Sequence, residues 1–205
     1  MAGSLVDLAG PDASLPLRLV VDSNIVIDWL LATGRLLAGN GAGSIAQARS
    51  AGLVERIRIE GAVGLVTSTG LNEVFHFVLK TAYQSELRRV RSDPAVRCSG
   101  SERHGWLGLF KVRSGLVRQI ALDLDAIRVL MDDNGLVFLQ PDELGPIPSG
   151  RALDDELVRT MERYELDSSD AAILIEAARA GINAIATADR DLHRARLDFA
   201  VYTWP

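Results

Sequence analysis

The sequence predicts an α/β protein with a central, mainly parallel sheet, and three features indicate this fold class. Short apolar runs alternate with longer amphipathic segments, as strands joined by helices do. The runs are apolar at consecutive positions, which is typical of strands covered on both faces. Apolar residues form 48% and charged residues 24% of the 205 residues, an ordinary balance for a globular chain.

Five strands are predicted from the apolar runs, each ended by a polar residue or by Gly, Pro or Asn nearby. They cover residues 17–21, 63–66, 136–139, 184–186 and 199–202. The amphipathic segments predict helices at 24–31, 45–59, 71–87, 106–131, 153–164, 171–180 and 189–195. The segment 106–131 is either one helix or two helices broken near Ser114 and Gly115.

The domain organisation follows from the same pattern. Residues 1–16 lack a sustained period and predict a flexible N-terminal arm. Residues 17–205 then form one domain, with a helical, partly basic insertion at about 88–135.

Cysteine content and hydropathy bear on the compartment. The single cysteine, Cys98, excludes an internal disulfide, and no run of 18 apolar residues indicates a transmembrane helix. The first residues also lack the basic start of a signal peptide. We therefore expect a cytoplasmic protein.

Charge is unevenly distributed along the chain. The net charge is −5, which by itself argues against a nucleic-acid partner. The segment 88–118, however, carries eight basic side chains against Asp93 and Glu102: Arg88, Arg89, Arg91, Arg97, Arg103, Lys111, Arg113 and Arg118.

Four acidic residues are predicted at one edge of the sheet. Asp22 and Asp189 follow two of the predicted strands, and the carboxyl ends of parallel strands meet at a common edge. Glu73 lies near the start of a helix that follows a strand, so it belongs at the same edge. Asp170 also begins a helix, although that helix follows another helix.

Each acid also has an ordinary structural interpretation. Asp22 fits an Asx turn, Asp189 a helix N-cap, and Asp170 a charge that complements a helix dipole. Glu73 fits a capping box with Ser68 or Thr69. These roles do not explain four acids at one edge, where carboxylates repel unless a cation lies between them. Oxygen-only ligands favour Mg²⁺ or Mn²⁺.

Four segments of the chain resemble, in order, the motifs of PIN-domain nucleases, and most closely the VapC-type toxin ribonucleases of toxin–antitoxin pairs. The similarity covers 18–86 and 136–205. Its motifs are VVDSNIVI at 20–27, TSTGLNEV at 67–74, LDSSDAAIL at 166–174 and IATADRDL at 185–192. Leu192 departs from the pattern, because an aromatic residue is usual there.

The resemblance implies a three-layer α/β/α fold with a five-stranded parallel sheet and Mg²⁺-dependent cleavage of RNA. It implies that Asp22, Glu73, Asp170 and Asp189 bind metal and are catalytic, supported by Asn24, Thr187 and Asp191. A cognate antitoxin and a homodimer are the partners that the toxin likeness adds to the RNA substrate.

The basic segment 88–118 has three possible interpretations. The first is a solvated loop, and the second is an arm that contacts RNA phosphates through Arg88, Arg89 and Arg91. The third is a surface that binds an acidic antitoxin tail.

Two other function classes remain as alternatives. One is a PIN-like domain that binds RNA or protein without cutting. The other is a phosphotransfer module, but a dehalogenase-like phosphatase needs a second Asp where Asn24 stands.

Overall fold

The computed structural model describes residues 3–10, 13–37, 43–92 and 105–205. Residue contacts divide the chain into two compact units, Met1–Asn72 with Met131–Pro205, and Glu73–Leu130. The sequence predicts one domain with an insertion at about 88–135, so the second unit begins earlier than that insertion.

The first unit contains a six-stranded sheet in which every pairing is parallel. Its order is β1-β6-β5-β2-β3-β4. The strands are β1 Ser4–Asp7, β2 Arg18–Val21, β3 Val63–Val66, β4 Leu136–Phe138, β5 Ala184–Ala186 and β6 Ala200–Thr203. The predicted α/β class and parallel sheet are confirmed, but the predicted count of five strands is wrong.

Seven α-helices lie in the described part of the chain. They are α1 Ser23–Leu37, α2 Ile45–Glu60, α3 Ser68–Ser92, α4 Gly105–Val112, α5 Leu116–Asp133, α6 Leu153–Tyr164 and α7 Ser168–Arg179. Two short 3₁₀ segments cover Pro141–Glu143 and Asp191–Leu197. None of the helices in these ranges is both long and apolar enough to cross a membrane.

Local sequence explains where α2 begins and ends. Ser44 and Gln47 form a capping box at its N-terminus, which satisfies amide groups that the helix itself cannot pair. Gly61 ends it with a φ of +68°, a left-handed conformation that glycine adopts at little cost. The helix therefore stops directly before β3.

The sheet core is built from the consecutive apolar residues that predict the strands. Leu19, Val20 and Val21 of β2 are at most 1% exposed. Val20 belongs to a buried cluster with Leu174 of α7 and Ile185 of β5. Burial of this kind is the main stabilising contribution to the first unit.

The N-terminal segment is where the sequence prediction fails. Residues 1–16 were expected to form an irregular arm, yet β1 pairs in parallel with β6, from Ser4 opposite Ala200 to Asp7 opposite Thr203. Gly3 makes this approach possible, because a Cβ there would lie 2.4 Å from the Phe199 carbonyl oxygen. A four-residue strand at a sheet edge carries too little periodicity to be recognised from sequence.

Two side chains of α2 hold the segment that follows β1. The Arg56 guanidinium donates to the carbonyl oxygens of Leu8 and Ala13 and to the Glu60 carboxylate. Glu60 in turn accepts the amide N–H of Leu15, at 3.1 Å. The segment is therefore fixed along the helix by charge-assisted hydrogen bonds.

The second unit has its own apolar core, formed by α3, α4 and α5. Tyr83, Leu87, Leu109 and Ile120 are its buried members. The Tyr83 hydroxyl donates to the carbonyl oxygen of Arg113 at 2.8 Å, just where the chain leaves α4. The break predicted near Ser114 and Gly115 is present, so 106–131 forms two helices.

Replacing Arg56 with Met tests the role of this arginine. The variant keeps an apolar side chain but loses the three sets of hydrogen bonds, so we expect the free energy of unfolding to fall by about 2 kcal/mol. Urea denaturation measures it. Arg58→Met is the matched control, because Arg58 pairs with the exposed Glu55 of α2 and, in the described part of the chain, with no other residue. Equal midpoints for the two variants would contradict the assignment.

Candidate functional site

The parallel register brings the ends of β2 and β5 to one edge of the sheet. Val21 lies opposite Ala186, and the amide N–H of Asp22 donates to the Ala186 carbonyl oxygen at 2.9 Å. Asp22 and Thr187 therefore leave adjacent strands at the same level. This is the crevice in which parallel α/β sheets hold ligands.

The Asp22 side chain is buried at this edge, with an exposed fraction of 2%. Its carboxylate accepts hydrogen bonds from the Thr187 hydroxyl at 2.7 Å, the Ser23 hydroxyl at 3.3 Å and the Asn24 amide at 3.5 Å. Asn24 and Thr187 are the residues that the resemblance implies as supporting groups. A carboxylate is kept inside a protein only when such polar partners offset its desolvation.

Thr187 also connects Asp22 to Asp189. The Thr187 hydroxyl oxygen accepts the amide N–H of Asp189 at 2.9 Å while its proton is donated to Asp22. The Asp189 carboxylate accepts the amide N–H of Asp191 at 2.9 Å, so it makes an Asx turn. The N-cap of the following 3₁₀ segment is Arg190, so the helix N-cap considered for Asp189 is wrong. Asp191 itself is exposed.

Asp170 and Glu73 lie on helices, as predicted. Asp170 is half-buried in the first turn of α7, where its amide N–H donates to the N-cap carboxylate of Asp167 at 2.9 Å. Glu73 is half-buried on α3 and is the first residue of the second unit.

The four predicted acids are not gathered into a metal cage. Among residues 3–10, 13–37, 43–92 and 105–205, no three His, Cys, Asp or Glu side chains lie close enough together to hold a metal ion. The structure brings Asp22, Thr187 and the backbone of Asp189 together. A four-carboxylate ligand set remains a prediction.

Glu176 is a residue that the sequence interpretation missed. It lies on α7, and its carboxylate accepts the amide N–H and the hydroxyl of both Ser68 and Thr69, at distances of 2.6–3.3 Å. These are the first two residues of α3, whose amide groups have no partner within the helix. Glu176 thus caps α3, the role that the capping-box interpretation gave to Glu73.

No local pattern could have identified Glu176, because it is separated from Ser68 by 108 residues. Capping residues are sought within a few positions of a helix start. The only available signal in the sequence is a Glu at mid-helix that stands between the apolar residues Ile175 and Ala177.

The basic segment is partly paired. Arg89 and Arg113 both bind the Glu86 carboxylate, at 2.8 and 2.5 Å, and these contacts, that of Arg89 first, hold the pKa of Glu86 below its ordinary value. Arg88 and Arg91 are exposed on α3. Arg97 and Arg103 lie outside the described residues.

No family model matches the chain, and no curated protein matches its sequence.

Glu176→Ala tests the cap on α3. The substitution leaves two amide groups and two hydroxyls of the α3 N-terminus without their acceptor, so we expect the free energy of unfolding to fall by about 2 kcal/mol. Glu162→Ala is the control, because Glu162 is exposed on α6; its effect should stay within about 0.5 kcal/mol. A comparable loss in both variants, measured by urea denaturation, would reject the cap.

Asp28 on α1 gives a pH-dependent prediction. Burial raises the pKa of its carboxyl group above the ordinary value. The native state then holds a proton that the unfolded chain releases, so stability from this group declines as pH rises from about 4 through the raised pKa. We expect Asp28→Asn to be more stable than wild type at pH 7.

The difference between Asp28→Asn and wild type should vanish below about pH 4, where both states of the wild type are protonated. Asp154→Asn, at an exposed position on α6, is the matched control. A difference that persists unchanged in acid would show that the effect is not ionisation. Urea denaturation at both pH values measures it.

Proposed function

We propose that the chain is a cytoplasmic, Mg²⁺- or Mn²⁺-dependent endoribonuclease with a PIN-like three-layer fold, acting as the toxin of a toxin–antitoxin pair. One observation carries the proposal. The buried Asp22 carboxylate lies at the carboxyl edge of a parallel sheet and is linked through Thr187 to the start of the turn that carries Asp189.

The chemistry of the donors supports a hard cation. Asp22, Asp170 and Asp189 of the first unit would supply carboxylate oxygens only, the ligands that Mg²⁺ prefers. The bound ion would supply charge that activates a water molecule and stabilises the leaving oxygen of a phosphodiester. Because the acids are not gathered in this structure, binding requires carboxylate side chains to approach one another.

Thr187 has a specific role in this proposal. Its hydroxyl group donates to Asp22 Oδ2 and so orients the carboxylate, while Oδ1 accepts the longer hydrogen bond from Ser23. Hydrogen bonds to the charged form favour ionisation of a buried carboxyl group. Thr187 is therefore a positioning residue, and Asn24 acts on the same oxygen at a longer distance.

The partners in this proposal follow from the toxin likeness and from charge. RNA is the substrate, an antitoxin protein and a second copy of the chain are candidate partners, and Arg88, Arg89 and Arg91 would contact phosphate. Arg89 also pairs with the Glu86 carboxylate, and Arg88 and Arg91 are exposed on the same helix.

A second candidate function is a PIN-like domain that binds RNA or protein without cutting it. The observation that favours it is that no group of three His, Cys, Asp or Glu side chains in the described ranges is arranged to hold a metal ion. The two candidates share the fold and differ in metal-dependent turnover, so a cleavage assay separates them.

The nuclease proposal predicts cleavage of single-stranded or structured RNA that requires Mg²⁺ or Mn²⁺ and stops in EDTA. Asp22→Asn preserves the shape of the side chain but removes its charge, so cleavage should fall by orders of magnitude with folding intact. Asp154→Asn, an exposed acid on α6, should cut as the wild type does. Gel analysis of labelled RNA measures both.

Thermal melts measure binding of the same metal ion independently of cleavage. An ion that binds only the folded state stabilises it by about 2.7 kcal/mol at a hundredfold excess over Kd. The shift should shrink in Asp22→Asn and persist in Asp154→Asn. RNA cleavage in EDTA, or equal cleavage by Asp22→Asn and wild type, would reject the metal-nuclease proposal.

A further inference from the structure

A cavity of about 380 Å³ lies in the first unit, apart from the acids discussed above. It is enclosed by the residue after β1, one side of α2 and the residue after β6, namely Leu8, Arg49, Gly52, Leu53, Arg56 and Trp204. Its volume lies within the range of pockets that hold small organic ligands.

The strand register places this cavity at the same edge of the sheet as Asp22. Tyr202 of β6 lies opposite Ala186 of β5, which lies opposite Val21 of β2. Trp204 therefore stands just beyond the strand ends, two strands away from Asp22. Neighbouring strands are about 4.8 Å apart, so the lateral separation is about 10 Å.

The two arginines of the cavity differ in how many guanidinium N–H donors remain available to a ligand. Arg56 is committed to Glu60 and to the carbonyl oxygens of Leu8 and Ala13, so it forms part of the wall. Arg49 is exposed and makes a single hydrogen bond within the described residues, to the Pro205 carbonyl oxygen at a long 3.5 Å. The remaining guanidinium donors of Arg49 are available to an anion.

The other lining residues are apolar or aromatic. Leu8 and Leu53 are 7% and 2% exposed and form an apolar floor. Trp204 is half-buried and supplies an aromatic ring at the wall. An aromatic ring, an apolar floor and one available guanidinium are the groups that bind an unpaired base and its phosphate.

We propose that this cavity is a nucleotide subsite, in which a base of single-stranded RNA stacks on Trp204 and the adjoining phosphate binds Arg49. The inference rests on the proposed nuclease function for the identity of the ligand. It would also allow RNA to bind a chain of net charge −5, because the contact uses one local cation and a stacked base rather than the overall field.

A single strand is favoured over a duplex and over a peptide for physical reasons. Bases in a duplex are stacked on one another and are not free to stack on a protein side chain. Every nucleotide of a single strand carries one planar base and one negative charge, whereas a peptide offers that pair of groups only at particular sequences. The cavity therefore selects for unpaired nucleotides.

Fluorescence anisotropy of a labelled short oligoadenylate, measured in EDTA, tests the subsite without any cleavage. Loss of one base–aromatic stack weakens binding by about 5- to 150-fold, and this is the expected effect of Trp204→Leu. Trp204→Phe keeps an aromatic ring and should retain most of the affinity. Circular dichroism and thermal melts establish that both variants are folded.

Salt dependence tests the phosphate contact. Arg49→Gln should reduce the slope of log K against log salt by about 0.7, the contribution of one phosphate on a single strand. Arg58→Gln is the matched control, because Arg58 lies on the same helix, is paired with Glu55 and does not line the cavity. Its slope should equal that of the wild type.

The outcomes separate the subsite from the nuclease proposal. Binding that depends on Trp204 in a protein that cuts no RNA would support the subsite and reject the nuclease. Metal-dependent cleavage of RNA, with equal affinity for oligoadenylate in the wild type and in a folded Trp204→Leu variant, would support the nuclease and reject the subsite. Absence of oligoadenylate binding by the wild type, or equal competition by duplex RNA, would overturn the subsite.

Discussion

The hydrogen bond from Thr187 to Asp22 is the interaction on which the candidate site depends. It joins the first residue after β2 to the first residue after β5, so it forms only because those strands run parallel and in register, with Val21 opposite Ala186. A carboxylate with 2% exposure carries a large desolvation penalty, and the Thr187, Ser23 and Asn24 donors offset it. The site therefore inherits its geometry from the sheet, and any slip of β5 against β2 would leave a buried charge without its best partner.

The start of α3 is fixed by tertiary structure and not by its own sequence. Ser and Thr often cap helices by accepting hydrogen bonds through their hydroxyl oxygens. Here the hydroxyl groups and the amide N–H groups of Ser68 and Thr69 instead donate to the Glu176 carboxylate. A carboxylate at a helix N-terminus is favourable both as an acceptor and through the helix dipole. Because Glu176 and Asp170 lie on α7, the cap links the helix that carries one candidate acid to the first turn of the helix that carries Glu73. The link fixes the first turn of α3 against α7 within the first unit.

Interactions between neighbouring residues could be predicted from the sequence, and distant ones could not. The runs ending at Val21, Val66 and Ala186 identified central strands because burial on both faces leaves a continuous apolar signal. β1 left no such signal: its residues are mostly exposed, and it pairs with β6 through backbone groups that any sequence possesses. The capping role of Glu176 was also missed, because the residues that it binds are far away in the sequence. The positions of Asp22 and Asp189 after strand ends were predictable, whereas no local pattern shows whether carboxylates are arranged to hold a metal ion, and no such group is present among the described residues.

The unexpected strand and the cavity depend on the same residues. β1 delivers Leu8 to the cavity wall, and Arg56, which lines the same cavity, holds the carbonyl oxygens of Leu8 and Ala13. Arg56 uses its donors in these hydrogen bonds, and its charge is balanced by Glu60, so its side chain is a fixed part of the wall. Arg49 is therefore the cation of the cavity that is available to a ligand. If the sheet ended at β6, Leu8 would be absent from the cavity. The apolar floor would then be reduced to Leu53 of α2. The N-terminal strand thus does more than extend the sheet: it closes a concave site at the edge where the candidate acids lie.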